Sequence, residues 1–323
     1  MTPHERIARS IRRVLVIFPG ALGDLMCLMP ALGAIARRHP GACVELMARL
    51  ELARLAAGRT VVARGHSIEA REVGALFTDD TSGDARRFFA DFDRIYSFFA
   101  SDDWRFRARL AAATDGHVSF HPFRPGGDGH VSAAYLRAIE IEIDAAASPV
   151  YQRLEPTPDD LAAAARAIEQ SGCAGSNLIV IFPGSGSPGK NWPAHKFAAL
   201  ASMLSLSDHA GVAVILGPAE ISLEPIFRQS GVVVLKQLDL PTVTAIARVA
   251  SAFVGNDSGV SHLAAAAGAS GVAIFGPTDP ARWRPLAPGA GGRIEVLRRN
   301  PIDSIEADEV AGALSKFVAQ RQN

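Results

Sequence analysis

The chain has 323 residues, which at roughly 150 residues per domain predicts two domains. Hydrophobic residues make up 48% and charged residues 20%, a globular composition that excludes a wholly disordered chain. Lys+Arg and Asp+Glu both number 33, and aromatic residues are 7%. A nucleic-acid partner, gripped by bulk charge or by a stacking groove, is therefore not expected.

The cysteines Cys27, Cys43 and Cys173 are odd in number, and none sits in a Cys-x-x-Cys pair. They indicate neither a disulfide framework nor a cysteine zinc site, and they suit a reducing cytoplasm. A basic lead, Arg6 to Arg13, precedes a short apolar run ending at Pro19-Gly20. That run is too short and wrongly flanked for a signal peptide. No apolar run approaches the roughly 18 residues of a membrane span. The expected location is cytoplasmic. The basic lead is either a solvated tail or a peripheral contact with an anionic inner membrane.

Val14–Phe18 is a fully apolar run of the kind found in a central parallel strand. The loop from Gly20 to Asp24 leads into a helical pattern over Leu25–Arg38, and Ala42–Met47 reads as the next strand. This strand–helix–strand unit favours an α/β fold. Residues 50–125 are less regular, with helices near 50–57 and 84–92 and a strand at Arg94–Phe98. The adjacent pairs Asp79-Asp80 and Asp102-Asp103 read as solvated. A turn-rich segment, His121–Gly129, precedes a helix over Val131–Ile141. Glu155–Asp160 reads as a linker and helix start, which sets the expected domains at 1–155 and 156–323.

The opening pattern then returns. Leu178–Phe182 is apolar, ends in Pro183-Gly184, and leads through a Gly/Ser-rich loop to a helix over Ala194–Leu204. Strands follow at Val212–Leu216, Val232–Leu235, Phe253–Val254 and Val272–Phe275. Helices at Leu240–Ala250 and Ser261–Ala267 separate them. This is a second doubly wound unit. Ligands of such sheets bind beyond the carboxyl ends of the strands, so a cleft between two such units is the expected site.

Four strand-end loops carry polar chemistry. The first holds Gly20, Gly23 and Asp24. Gly23 lets backbone approach a ligand, and Asp24 is either a helix N-cap or a general base. The second runs from Gly184 through Ser185, Gly186 and Ser187 to Lys190, Trp192 and Pro193. Its amides, the helix start behind it and one Lys make an anion site. The spacing approaches a phosphate-binding P-loop, but Asn191 stands where that motif needs Ser or Thr. The chain has only four lysines, Lys190, Lys196, Lys236 and Lys316. The third loop places Glu220 just past a strand, as a ligand of ribose hydroxyls or an adenine amino group, or as a solvated helix-start residue. The fourth runs Gly255-Asn256-Asp257-Ser258-Gly259 into an Ala-rich helix bearing His262. Small residues there admit a phosphate to the helix N-terminus. Ser258 lacks the Gly-x-Ser-x-Gly elbow of a hydrolase. Gly276 and Thr278, after the next strand, are within reach of the same anion, while Arg282 and Arg284 read as surface cover.

In order and spacing these loops resemble the ADP-heptose:lipopolysaccharide heptosyltransferases, the inverting glycosyltransferases of family 9. The matching stretches are GALGDLMCLMPALGAIARRHP, FPGSGSPGKNWPAHKFAAL and FVGNDSGVSHLAAAAGASGVAIFGPTDPARWRP, spanning roughly residues 14–47 and 178–286. The resemblance implies a GT-B fold, two Rossmann-like doubly wound domains facing a central cleft. The first domain would bind the acceptor and the second the nucleotide sugar, with the last helix able to return to the first. Asp24 would be the general base, beside Gly20 and Gly23 on the acceptor side. Lys190 would neutralise the diphosphate, and Ser185, Gly186 and Ser187 would line it. Glu220 would hold the nucleoside end, and Leu238 would pack on the base. Asp257, Ser258, Gly259 and His262 would close the donor pocket. The chain departs from some members by having Ser185-Gly186 and Ser258 where Thr is often seen, which leaves the choice of sugar open. The implied reaction moves heptose or a related sugar from an ADP-activated donor to a lipopolysaccharide-core, other glycan or lipid-linked acceptor, with no metal or other cofactor. The alternatives are another nucleotide donor, a protein acceptor, or a non-catalytic nucleotide-sugar-binding protein.

Overall fold

The computed structural model describes residues 11–78, 83–139, 152–173, 177–206, 210–289 and 292–318. Arg6 to Ser10 of the basic lead, Asp79-Asp80 and the end of the helix expected to reach Ile141 lie outside them. The chain divides into two compact units. One lies within 1–20, 31–126 and 135–143, the other within 21–30, 127–134 and 144–323.

The first unit is built on a parallel sheet. In chain order the elements as far as residue 138 are β1 (Arg13–Ile17), α1 (Leu22–Arg38), β2 (Cys43–Ala48), α2 (Leu50–Ala56), β3 (Val62–Ser67), α3 (Arg71–Gly74), α4 (Asp84–Phe89), β4 (Arg94–Ser97), α5 (Trp104–Ala113), β5 (Val118–Phe120) and α6 (Val131–Ala138), with the start of α1 and the first half of α6 grouping with the second unit. The sheet order is β3-β2-β1-β4-β5, all parallel. β1 is central, which is why Val14 to Ile17 are fully buried and apolar. One face packs Leu15, Ile17 and Ile95 against Phe89, Phe106 and Leu110 from α4 and α5. Asp103 is exposed, as expected, and also caps α5, accepting from the amides of Arg105 at 2.9 Å and Phe106 at 3.0 Å.

Glu45, in β2, is fully buried, yet Arg13 Nε donates to it at 2.8 Å and His66 Nε2 lies 2.6 Å away. Burial pushes the Glu45 carboxyl up, but those two partners outweigh it and hold the group below its ordinary range.

The second unit continues with α7 (Pro158–Ser171), β6 (Asn177–Phe182), α8 (Ala194–Ser205), β7 (Ala210–Leu216), α9 (Glu224–Gln229), β8 (Val233–Lys236), α10 (Leu240–Val249), β9 (Ala252–Asn256), α11 (Gly259–Ala266), β10 (Gly271–Phe275), α12 (Pro280–Trp283), β11 (Ile294–Arg298) and α13 (Ala307–Val318). α7 begins with a capping box: Asp160 N donates to Thr157 Oγ1, and Thr157 N donates to Asp160 Oδ2. Gly172 ends it in the left-handed region, at φ 70°. The six strands are parallel in the order β11-β10-β9-β6-β7-β8. Ile179, Ile181, Val214, Val254 and Ile274 pack on Phe197 and Leu314. The sequence reading lets α13 return to the N-terminal half; here it packs on α8, β9 and β10 of its own unit.

The strand order places the functional loops. From β6 the chain winds outward through β7 to β8, then returns to lay β9 on the other side of β6. Crossovers therefore diverge between β6 and β9, and the carboxyl ends of these two strands border an open crevice. The loops leaving there are Pro183–Pro193 and Asp257-Ser258, two of the four marked by sequence.

Candidate functional site

The loop after β6 is long and glycine-rich, so its own sequence holds it weakly. Ser185 Oγ donates to the Ser187 carbonyl at 2.7 Å and accepts from Ser187 N at 3.2 Å. Pro188–Lys190 makes one 3-10 turn. The firmest ties come from Asn256 at the end of β9, which is fully buried. Its Oδ1 accepts from Trp192 N at 2.9 Å and its Nδ2 donates to the Pro183 carbonyl at 2.7 Å. One side chain thus clamps both ends of the loop. Trp192, itself buried, anchors the far end by donating Nε1–H to the Ile305 carbonyl at 3.0 Å.

Asp257 and Lys190 meet across the crevice. Lys190 Nζ donates to Asp257 Oδ2 at 2.8 Å, with the Asp257 side chain 6% exposed and the Lys190 side chain 34% exposed. The sequence assigned both to one pocket but did not foresee their pairing. Ser258 N-caps α11, accepting from Ser261 N at 3.4 Å, so the α11 amides face the same crevice.

Glu220 follows β7 in a 3-10 turn over Pro218–Leu223. Its carboxylate lies so close to Gly184 that a Cβ there would overlap Glu220 Cδ and Oε1. A side chain at position 184 would therefore displace the Glu220 carboxylate. Leu238 follows β8. A cavity of about 260 Å³ opens among these loops. Ser185, Gly186, Glu220, Leu238, Ser258 and Gly259 all line it, six of the positions singled out by sequence. Leu216, Leu240 and Val243 add apolar wall. Ser187, Lys190, Asp257 and His262 lie beyond that lining. The cavity therefore has an apolar side near Leu238, a carboxylate at Glu220, and a lysine and a helix N-terminus close by.

The start of α1, as far as Pro30, groups with this unit. Gly23 and Gly259 face each other: a Cβ on Gly259 would come within 3.1 Å of Gly23 N. Asp24 is the third residue of α1 rather than its N-cap, and its Oδ2 accepts from Ala21 N at 3.0 Å. The carboxylate tip is thus held at the helix N-terminus. Gly20 ends the preceding turn.

His262 sits on the first turns of α11, 6% exposed, with Cys27 Sγ 3.8 Å from its Nδ1. Burial pulls its pKa from 6.5 down to about 4, although Asp257 acts to raise it. Burial pushes the Cys27 thiol up to about 12. Both groups are thus neutral near pH 7. Arg282 and Arg284, read as surface cover, are tied to residues 127–130: Arg282 donates to the Gly127 carbonyl at 2.8 Å, and His130 Nε2 is 2.9 Å from the Arg284 carbonyl.

Comparison with known proteins gives this geometry its class. The model of glycosyltransferase family 9 (heptosyltransferase) matches residues 130–300. A family 9 glycosyl transferase from Veillonella parvula is similar over 96% of this chain and 97% of its own, at TM-score 0.79 and 17% identity. E. coli ADP-heptose lps heptosyltransferase II follows at TM-score 0.73 and 18% identity, covering 96% and 100%. E. coli heptosyltransferase WaaC, solved with ADP, gives 0.62 and 19% over 95% and 99%. No curated protein sequence matches the chain. Two parallel α/β units of this kind match the GT-B fold of these heptosyltransferase structures. Within that fold class, the chain belongs to glycosyltransferase family 9, the heptosyltransferase family. Among the described residues, no helix is long and apolar enough to cross a membrane.

Proposed function

We propose that this glycosyltransferase moves a heptose or related sugar, with inversion, from an ADP-activated donor to a lipopolysaccharide-core, other glycan or lipid-linked acceptor. The observation that carries the reading is the 260 Å³ cavity walled by Glu220, Leu238, Ser185 and Ser258, with Lys190 bound to Asp257, the residue before Ser258. An adenine fits the apolar side at Leu238. Ribose hydroxyls donate to the Glu220 carboxylate. The diphosphate lies toward Lys190 and the α11 amides, where cation and helix N-terminus both favour it. The similar WaaC was solved with ADP, which supports the choice of base.

In the proposed reaction Asp24 takes the proton from the acceptor hydroxyl. The freed oxygen pair attacks the anomeric carbon, and the carbon–oxygen bond to the diphosphate breaks. ADP departs with that electron pair. Lys190 and the loop amides stabilise its charge, so the chemistry is proposed to need no metal. Lys190 must loosen its bond to Asp257 as the diphosphate arrives. Asp257 thereby keeps the lysine positioned in the empty site. The base assignment is worth on the order of 10²–10⁴ in rate.

The test is a thermal-shift comparison of ADP, GDP, UDP and CMP. ADP alone should raise the melting temperature strongly. Equal shifts for all four, or a larger one for UDP, would overturn the ADP assignment.

A further inference from the structure

The first unit holds a separate cavity of about 430 Å³ beside the β4–β5 edge of its sheet. Its polar walls are Arg38, His39, Arg94, Tyr96, Ser119 and His121, and Ile11, Phe120 and Ile139 form an apolar rim. None of its described lining residues is acidic. Tyr96 stands opposite Ser119 in the strand register, so their side chains share one face with Arg94 and His121.

This wall is rigid. The Arg94 guanidinium lies 5.4 Å from the Tyr96 ring centre, and Tyr96 stacks on His121 at 5.8 Å. Ser119 Oγ and the Ala138 carbonyl hold the His121 nitrogens at 2.8 and 2.7 Å. His39 Nε2 is 2.9 Å from the Tyr96 hydroxyl. The cations are less well matched. Arg38 donates to the Ile139 carbonyl at 3.2 Å, and Arg94 rests on an aromatic face. Neither makes an ion pair with a described carboxylate, although Arg94 also borders a hollow containing Asp91, Asp93 and Asp115. Burial, and then these two guanidinia, pull His39 below its ordinary range.

We propose that this cavity is a phosphoryl-group site, in which Arg38 and Arg94 grip the phosphate and the Phe120–Ile139 rim covers the organic part of an ester. Guanidinium forks match phosphate oxygens better than other side chains do. The volume falls within the roughly 300–1,000 Å³ of small-molecule sites, which favours an ester over a bare ion. The site lies in the other unit from the donor cavity and does not rest on the donor reading.

Calorimetric titration of the full chain with phenyl phosphate and inorganic phosphate tests it, run in Lys190→Ala protein so that the donor cavity does not compete. Phenyl phosphate should bind more tightly than inorganic phosphate. Arg38→Gln and Arg94→Gln should each weaken it about tenfold, and Arg94→Lys should restore part of the loss. Both arginines are solvent-accessible, so unchanged melting temperatures should accompany these changes. Vesicles of phosphatidylglycerol in phosphatidylcholine form the second arm. Vesicle binding that the double Arg variant abolishes, beside weaker phenyl phosphate binding, names a lipid headgroup as the source of the phosphoryl group. Binding undiminished in the double variant, binding lost on Lys190→Ala alone, or no binding of any probe overturns the proposal.

Discussion

Phe18-Pro19-Gly20 closes β1 and Phe182-Pro183-Gly184 closes β6, and the two turns start alike before diverging. After the first, α1 begins at Leu22, and Asp24 meets the helix N-terminus by accepting from Ala21 N three residues back. After the second, the chain runs to Pro193 before α8 begins, and a side chain from β9 clamps it. The short turn holds its carboxylate by a hydrogen bond only three residues back. The long one presents backbone amides and a lysine but depends on Asn256, distant in sequence. Backbone entropy explains the difference: a long, glycine-rich loop is costly to order unless buried hydrogen bonds hold it.

The comparison can be broken first at Asp24. Asp24→Asn keeps the shape but not the base, and turnover should fall by about 10²–10⁴ with ADP affinity nearly unchanged. A rate within about threefold of the parent would remove Asp24 from the chemistry. At the second turn, Lys190→Ala should weaken ADP by roughly tenfold to a hundredfold in calorimetry, the worth of a charge-assisted hydrogen bond. Unchanged affinity would sink the phosphate role.

Asn256→Ala sharpens the contrast. It orphans the Trp192 amide and the Pro183 carbonyl, and should cost about 2–3 kcal/mol in denaturant unfolding while also weakening ADP. The smallest effect is on pH dependence. His262 is depressed to about 4 in the fold, against 6.5 unexposed to it, so the unfolded chain binds the extra proton between those values. Its contribution is complete above about pH 6.5 and is lost as pH falls toward 4. His262→Gln should flatten that part of a stability profile; an unchanged slope would show that His262 does not titrate this way.

Much of the architecture is legible in the residues. The apolar runs of β1, β6 and β10 mark central strands, and Thr157 with Asp160 marks the start of α7. The irregular stretch at 50–125 hides more. β3 reads Val-Ala-Arg-Gly-His-Ser and β11 reads Ile-Glu-Val-Leu-Arg, both edge strands only partly buried. They need no continuous apolar run, so pattern alone does not reveal them. β5 has three residues, too few to show a period. In the candidate site, the loop residues were legible from Gly, Ser and Lys at strand ends. Their pairings were not. Lys190 with Asp257 spans 67 positions, Trp192 with Asn256 spans 64, and Cys27 with His262 spans 235.

What the sequence determined by itself is the alternation of strand and helix, the two strand-led halves and the polar loops that follow their strands. These follow from local propensity, burial period and turn chemistry, all short-range. What only the tertiary structure decided is that β9 lies beside β6, which opens the crevice and brings Asn256, Asp257 and Ser258 to the loop bearing Lys190. Strand order is a choice among nonlocal pairings, settled by packing the whole sheet, and no run of neighbouring residues encodes it.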